Sequence, residues 1–86
     1  RIAQKVGLNM RELSKYHQII SVTHLPQIAA LSDNCVVISK REENNRVTTS
    51  AKQLSYTDKV NEIAKMLSGE NITEAARKSA EELIKI

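Results

Sequence analysis

Residues 18–33 read QIISVTHLPQIAALSD, and they constrain the fold more tightly than any other stretch. A short apolar run ends at Thr23, a histidine follows at once, and Leu25-Pro26 then opens a helical pattern. The run over residues 18–23 is brief and rich in β-branched side chains, which predicts a strand rather than a buried helix. Between Ile19 and Val22 it has no polar face, so it needs cover on both sides. Pro26 suits the first turn of the following helix, where its missing N–H costs nothing. His24 therefore stands where strand gives way to helix. In open α/β sheets, ligands bind in the crevice beyond the carboxyl ends of the strands. Position alone makes His24 the leading candidate for function.

The flanking sequence predicts an α/β order of helix, strand, short helix, strand, strand, helix, helix. Ile2, Val6, Met10 and Leu13 recur at helical spacing, with Arg1, Lys5, Arg11 and Glu12 mostly elsewhere on the wheel. Gly7 interrupts that helix at about 1 kcal/mol relative to Ala and leaves room for a neighbour to approach. No capping residue precedes Ile2, so the helix is expected to start further upstream. After Pro26, Ile28, Ala29 and Leu31 give a small apolar face for roughly two turns, until the turn cluster Ser32-Asp33-Asn34.

Residues 35–40 form a second apolar run, and residues 41–45 (REENN) read as a hairpin loop. Residues 46–53 alternate, with Val47, Thr49 and Ala51 on one face, as in a half-exposed strand at a sheet edge. The two runs are expected to pair as an antiparallel hairpin. Thr57-Asp58 can cap the next helix, whose stripe is Val60, Ile63, Ala64 and Leu67, and Ser68-Gly69 closes it. Asn71-x-x-Glu74 resembles a capping box, with Thr73 as the alternative cap. The last helix is expected to bury Ile72, Ala76, Ser79, Leu83 and Ile86; the small residues on that stripe imply close packing.

Composition narrows the function. The chain has 86 residues, enough for one small domain, yet it contains no Phe or Trp to fill a core. It begins at Arg1, and we read residues 1–86 as a single fragment of a longer protein, with an incomplete sheet. The net charge of +3 arises from Lys and Arg interleaved with Glu, without the clustering or aromatic stacking residues of a nucleic-acid footprint. A single cysteine, Cys35, excludes an internal disulfide and leaves too few ligands for a Cys-rich zinc site. It reads as a small buried residue at a strand start. No signal peptide or membrane-length apolar run is present, so a reducing, cytoplasmic setting is expected.

His24 has no local partner for self-contained catalysis. No His, Asp or Glu lies at metal-ligand spacing from it, so no metal site is expected. Ser21 and Thr23 lack a base and an orienting group. Asp33 reads as turn chemistry and His17 as a solvated loop residue. The two glycines of the chain form no phosphate loop. The fragment alone is therefore not expected to be an enzyme, although it can supply one component of a larger site.

The string SVTHLPQIAALSD at residues 21–33 resembles the histidine-switch segment of the bacterial RecN family, DNA double-strand-break repair ATPases related to the SMC proteins. The string NEIAKMLSG at residues 61–69, followed by ITEAAR at residues 72–77, resembles the end of the same family. The resemblance runs from Ile2 to the carboxyl end. It implies the C-terminal part of an ABC-type ATPase head, with the phosphate loop, coiled coil, signature motif and Walker B strand all upstream.

The same resemblance implies ATP and Mg2+ as cofactors of the full-length protein, with none bound to the fragment alone. The implied partners are the remainder of the head, a second head in an ATP-engaged homodimer, and DNA; no membrane is implied, and the setting is cytoplasmic and nucleoid-associated. Only His24 matches a known functional position, contacting the γ-phosphate and helping to position the attacking water. Gln27 and Pro26 match the family string without a catalytic role. The family often has a further histidine near Cys35 and a glycine where Ser68 stands, and neither departure touches His24.

A rival expectation, from a different class, is an interaction module with no nucleotide role. It would dock through the exposed strand edge or the small-residue face of the last helix. Direct DNA binding through scattered Lys and Arg ranks third, and a shallow salt dependence of any binding would count against a large phosphate footprint.

Overall fold

A computed structural model describes residues 2–86; the expected placement of Arg1 on the polar side of the first helix lies outside them. The elements run α1 (Ile2–Leu13), α2 (Pro26–Ala29), β1 (Val36–Glu43), β2 (Arg46–Gln53), α3 (Tyr56–Ser68) and α4 (Glu74–Ile84). The sheet has two strands, β1 and β2, antiparallel in a register running from Val36 opposite Gln53 to Glu43 opposite Arg46. The strand expected over residues 18–23 is not formed. That stretch lies outside every strand and helix, with Ile20 85% and Val22 96% exposed. A strand is held by ladder bonds to a neighbour, and no described segment pairs with it. The α/β class stands, but the sheet is antiparallel and does not include the run that precedes His24.

The core sits between α2, α3 and α4. Ala30, Val60, Ile63, Ala64, Ala76 and Ala80 are buried together, and Ala29, Ile72, Leu83 and Ile84 pack around them. Alanines let the α3 and α4 backbones approach closely, and Ile63 is the largest side chain that is fully buried. Ala80 occupies the position expected of Ser79, which is exposed; the 76-80-83 spacing stays on one helical face. Ile86 is also exposed. The small-residue face of α4 is thus occupied by α3 and is not open for a partner.

Caps fix the ends of these helices. Ser55, not Thr57 or Asp58, caps α3: its hydroxyl accepts from the Asp58 N–H at 3.3 Å, which leaves the Asp58 carboxylate in the first turn. Thr73 caps α4, accepting from the Ala76 N–H at 3.0 Å. Between the helices, Gly69 takes φ +82°, a left-handed value that favours glycine. The Ser68 hydroxyl lies within hydrogen-bonding distance of the Ala64 and Asn71 carbonyls, at 3.0 and 2.8 Å.

The expected five-residue hairpin loop contracts to two residues. Asn44 and Asn45 take φ values of 50° and 63°, and β1 continues through Arg41, Glu42 and Glu43. Two positive-φ residues make the turn whose twist matches paired strands, and asparagine tolerates it better than other side chains. The pairing puts Val36, Ile38, Val47 and Ala51 on one face of the hairpin, and that face is exposed. The opposite face, with Val37, Ser39, Ser50 and Lys52, borders an open cleft against α3.

The expected stripe of α1 also faces outward: Ile2, Val6 and Leu13 are exposed, and Gly7 is buried instead. A Cβ at Gly7 would come within 2.7 Å of Leu31 Cδ1 and 3.6 Å of Ile28 Cα. The glycine therefore allows α1 to lie directly against the α2 region. With a radius of gyration of 14.2 Å, the chain is more spread than the about 12 Å typical of a compact chain this long. Projecting elements and bare apolar faces account for that spread.

Candidate functional site

His24 is exposed, between the apolar run and α2. Thr23 shapes its backbone: the Thr23 hydroxyl oxygen accepts from the Leu25 N–H at 3.0 Å, closing a side-chain turn across His24. Leu25 then stands at the N-cap with φ −97° and ψ 118°, the extended conformation favoured before proline. Its carbonyl accepts from the Ile28 and Ala29 N–H groups, both at 3.1 Å. His24 is thus held by a hydroxyl turn on one side and a proline-started helix on the other.

The helix α2 is shorter than expected. It makes one turn, and the bonds from Leu31 N–H to the Ile28 carbonyl (3.2 Å) and from Ser32 N–H to the Ala29 carbonyl (3.2 Å) tighten its exit. Carbonyls at a helix end lack partners within the helix. Here two cations from distant elements reach the next ones. Arg11 Nη2 donates to the Leu31 carbonyl at 3.0 Å, and its Nη1 donates to the Ile86 main-chain oxygen at 2.7 Å. Lys59 Nζ donates to the Ser32 carbonyl at 2.7 Å. Burial lowers the pKa of Lys59 below its usual value, and the Arg11 charge acts in the same direction, against opposing effects of Cys35 and Asp33.

Gln27, one turn beyond His24, is half-buried, and its Oε1 is buried without a hydrogen-bond partner. Cys35 is half-buried rather than buried, and its carbonyl accepts from the Leu54 N–H at 2.9 Å, prolonging the hairpin ladder. His17 is exposed, in the bend after α1. Among the described residues, no three His, Cys, Asp or Glu side chains gather where they could hold a metal ion. The clefts bordering α3 do not include His24. Chemically, the arrangement offers one solvent-facing imidazole on a fixed turn, able to hydrogen-bond to whatever is brought to it.

Arg11 and Lys59 are the residues that sequence reasoning missed. Arg11 falls off the apolar stripe of the α1 wheel, and Lys59 carries no motif that singles it out. Nothing in their local spacing shows that both meet the exit of α2. The Thr23 turn had a local signal, a hydroxyl two residues before an N–H that precedes proline.

No protein-family model matches the chain. Among curated proteins, it is 40% identical over 84 residues to the DNA repair protein RecN of Halalkalibacterium halodurans, which covers 98% of this chain and 15% of that protein. It is 38% identical over 85 residues to the protein of the same name from Bacillus subtilis, covering 99% of this chain and 15% of that protein. The Streptomyces coelicolor protein of that name is 33% identical over 84 residues, covering 98% and 15%. The chain spans about 15% of the length of the curated relatives it matches. No described helix is long and apolar enough to cross a membrane. Over nearly its whole length the chain is thus similar, at 33–40% identity, to the C-terminal part of proteins named DNA repair protein RecN.

Proposed function

We propose that these residues form the C-terminal part of an ABC-type ATPase head in a DNA repair protein, and that His24 is one component of its composite ATP site. The observation that carries this reading is the placement of His24, exposed on a fixed turn at the exit of an apolar run. That run and the bare hairpin face support it further. Ile20, Val22, Ile38 and Val47 are exposed apolar side chains, and residues 18–23 lie outside every strand and helix although their composition suits a strand. In the full-length protein the remainder of the head would supply the neighbouring strands and a donor for Gln27 Oε1. Residues 18–23 would then become the interior strand that their composition predicts.

The residues fit ATP as a contributor and not as a complete site, because the sequence holds no phosphate loop and no metal-ligand cluster gathers among the described residues. ATP with Mg2+ supplies the transferable phosphoryl group. Phosphoryl transfer depends mainly on positioning and charge stabilisation. His24 would donate a hydrogen bond at the terminal phosphate from a turn that need not reorganise. Loss of that phosphate would remove its partner, coupling hydrolysis to release of a second head and to engagement on DNA.

His24→Ala in the full-length protein is expected to slow ATP turnover by about 100-fold, the order seen when one preorganised donor is lost. ATP binding, followed by equilibrium titration, should change far less. Turnover equal to that of the unaltered protein would refute the role.

A further inference from the structure

We propose that Arg11 and Lys59 are positioning residues for His24, acting by clasping the exit of α2. This rests on the reading of His24 given above. A four-residue helix does not hold itself: helices below about 12 residues are marginal without outside contacts. The N-terminal side of α2 is fixed by the Thr23 hydroxyl and by Pro26. The opposite side is fixed by two charged donors from different helices, Arg11 of α1 on the Leu31 carbonyl and Lys59 of α3 on the Ser32 carbonyl.

Charged donors make stronger and more directional bonds than neutral ones. Both bonds are partly shielded from solvent, which limits competition from water. The second Arg11 nitrogen reaches the Ile86 main-chain oxygen, so one planar group ties α1, the exit of α2 and the end of the chain together. Gly7 completes the seat, because its missing side chain lets α1 lie against Ile28 and Leu31. The short segment carrying His24 is therefore braced at both ends. Freeing the exit would let α2 shift as a unit, and displacements of about 1 Å in a catalytic group can cost about 100-fold in rate.

The test uses the full-length protein and four variants: Arg11→Met, Arg11→Lys, Lys59→Met and His24→Ala. Amide hydrogen exchange over residues 25–31 is expected to accelerate at least tenfold in Arg11→Met and Lys59→Met, with and without ATP. Arg11→Lys, which keeps the charge but not the fork, should fall between. In ATP turnover, Arg11→Met and Lys59→Met should each lower kcat about tenfold or more with KM for ATP little changed. Adding either to His24→Ala should cause no further loss, since both act through that side chain.

Unchanged amide exchange in both Met variants would overturn the clasp. So would losses of kcat that multiply with that of His24→Ala. A His24→Ala protein with unaltered turnover would instead overturn the role of the histidine, and the positioning role would fall with it. Using two donors on separate helices keeps the test decisive if one variant does not fold.

Discussion

Ile63 is the side chain on which the α3–α4 pair most depends. It is 0% exposed and lies in one buried cluster with Ala30, Val60, Ala64, Ala76 and Ala80, against which Ala29, Ile72, Leu83 and Ile84 pack. Ile63→Ala removes three buried carbons, which at about 0.8 kcal/mol each forfeits about 2.4 kcal/mol of transfer free energy. A cavity term adds to this, and the total for such substitutions spans about 2–5 kcal/mol. The outcome depends on how well the surroundings can collapse. Most of the neighbours here are alanines, whose Cβ atoms are fixed to helix backbones and cannot swing inward, so we place the loss near the upper part, at about 4 kcal/mol. Ile63→Val removes a single carbon and should cost about 1 kcal/mol. Native-state amide exchange on α3 and α4 in the full-length protein measures both as changes in opening free energy. If Ile63→Ala costs under about 1 kcal/mol, or no more than Ile63→Val, then the pair is not held as the structure indicates.

Three further outcomes follow from single positions. Gly7→Val should destabilise the α1–α2 contact by about 1–3 kcal/mol through overpacking against Leu31, while Gly7→Ala should do less because better helix propensity offsets part of the clash; thermal unfolding distinguishes them. Asn45→Val places a β-branched residue at φ 63° and should cost about 1–2 kcal/mol, read as weakened amide protection across β1 and β2. Lys59 has its pKa lowered from 10.5 in the folded state. Between that lowered value and 10.5 the unfolded chain binds more protons, so stability should rise with pH across this window. Lys59→Met should lose that rise in pH-resolved denaturation, and an unaltered slope would contradict it.

Local rules made much of the fold legible. The helix through Leu13, the two hairpin partners and the stripe of Val60, Ile63 and Ala64 all follow from spacing that a single element imposes on itself. Thr73 could be read as a cap for the same reason, because capping involves only a few consecutive residues. The boundaries were harder. Asn44-Asn45 can close a two-residue turn, but REENN is polar throughout, and polarity alone does not separate a loop from an exposed strand end. The Ser79 expectation failed through a one-residue ambiguity between neighbours on a helical wheel, which packing against α3 resolved in favour of Ala80.

The sequence by itself determined the α/β class, the order of the elements apart from the strand expected over residues 18–23, and the position of His24 between an apolar run and a proline-started helix, because these depend on residues near one another in the chain. Tertiary structure decided the rest. It turned the α1 stripe outward so that Gly7 could face α2, and it brought Arg11 and Lys59 to the carbonyls of Leu31 and Ser32. It also left residues 18–23 unpaired, although their composition calls for a buried strand. Propensity can make a segment suited to extension, but a strand is formed only by the hydrogen-bonding edge of its neighbour.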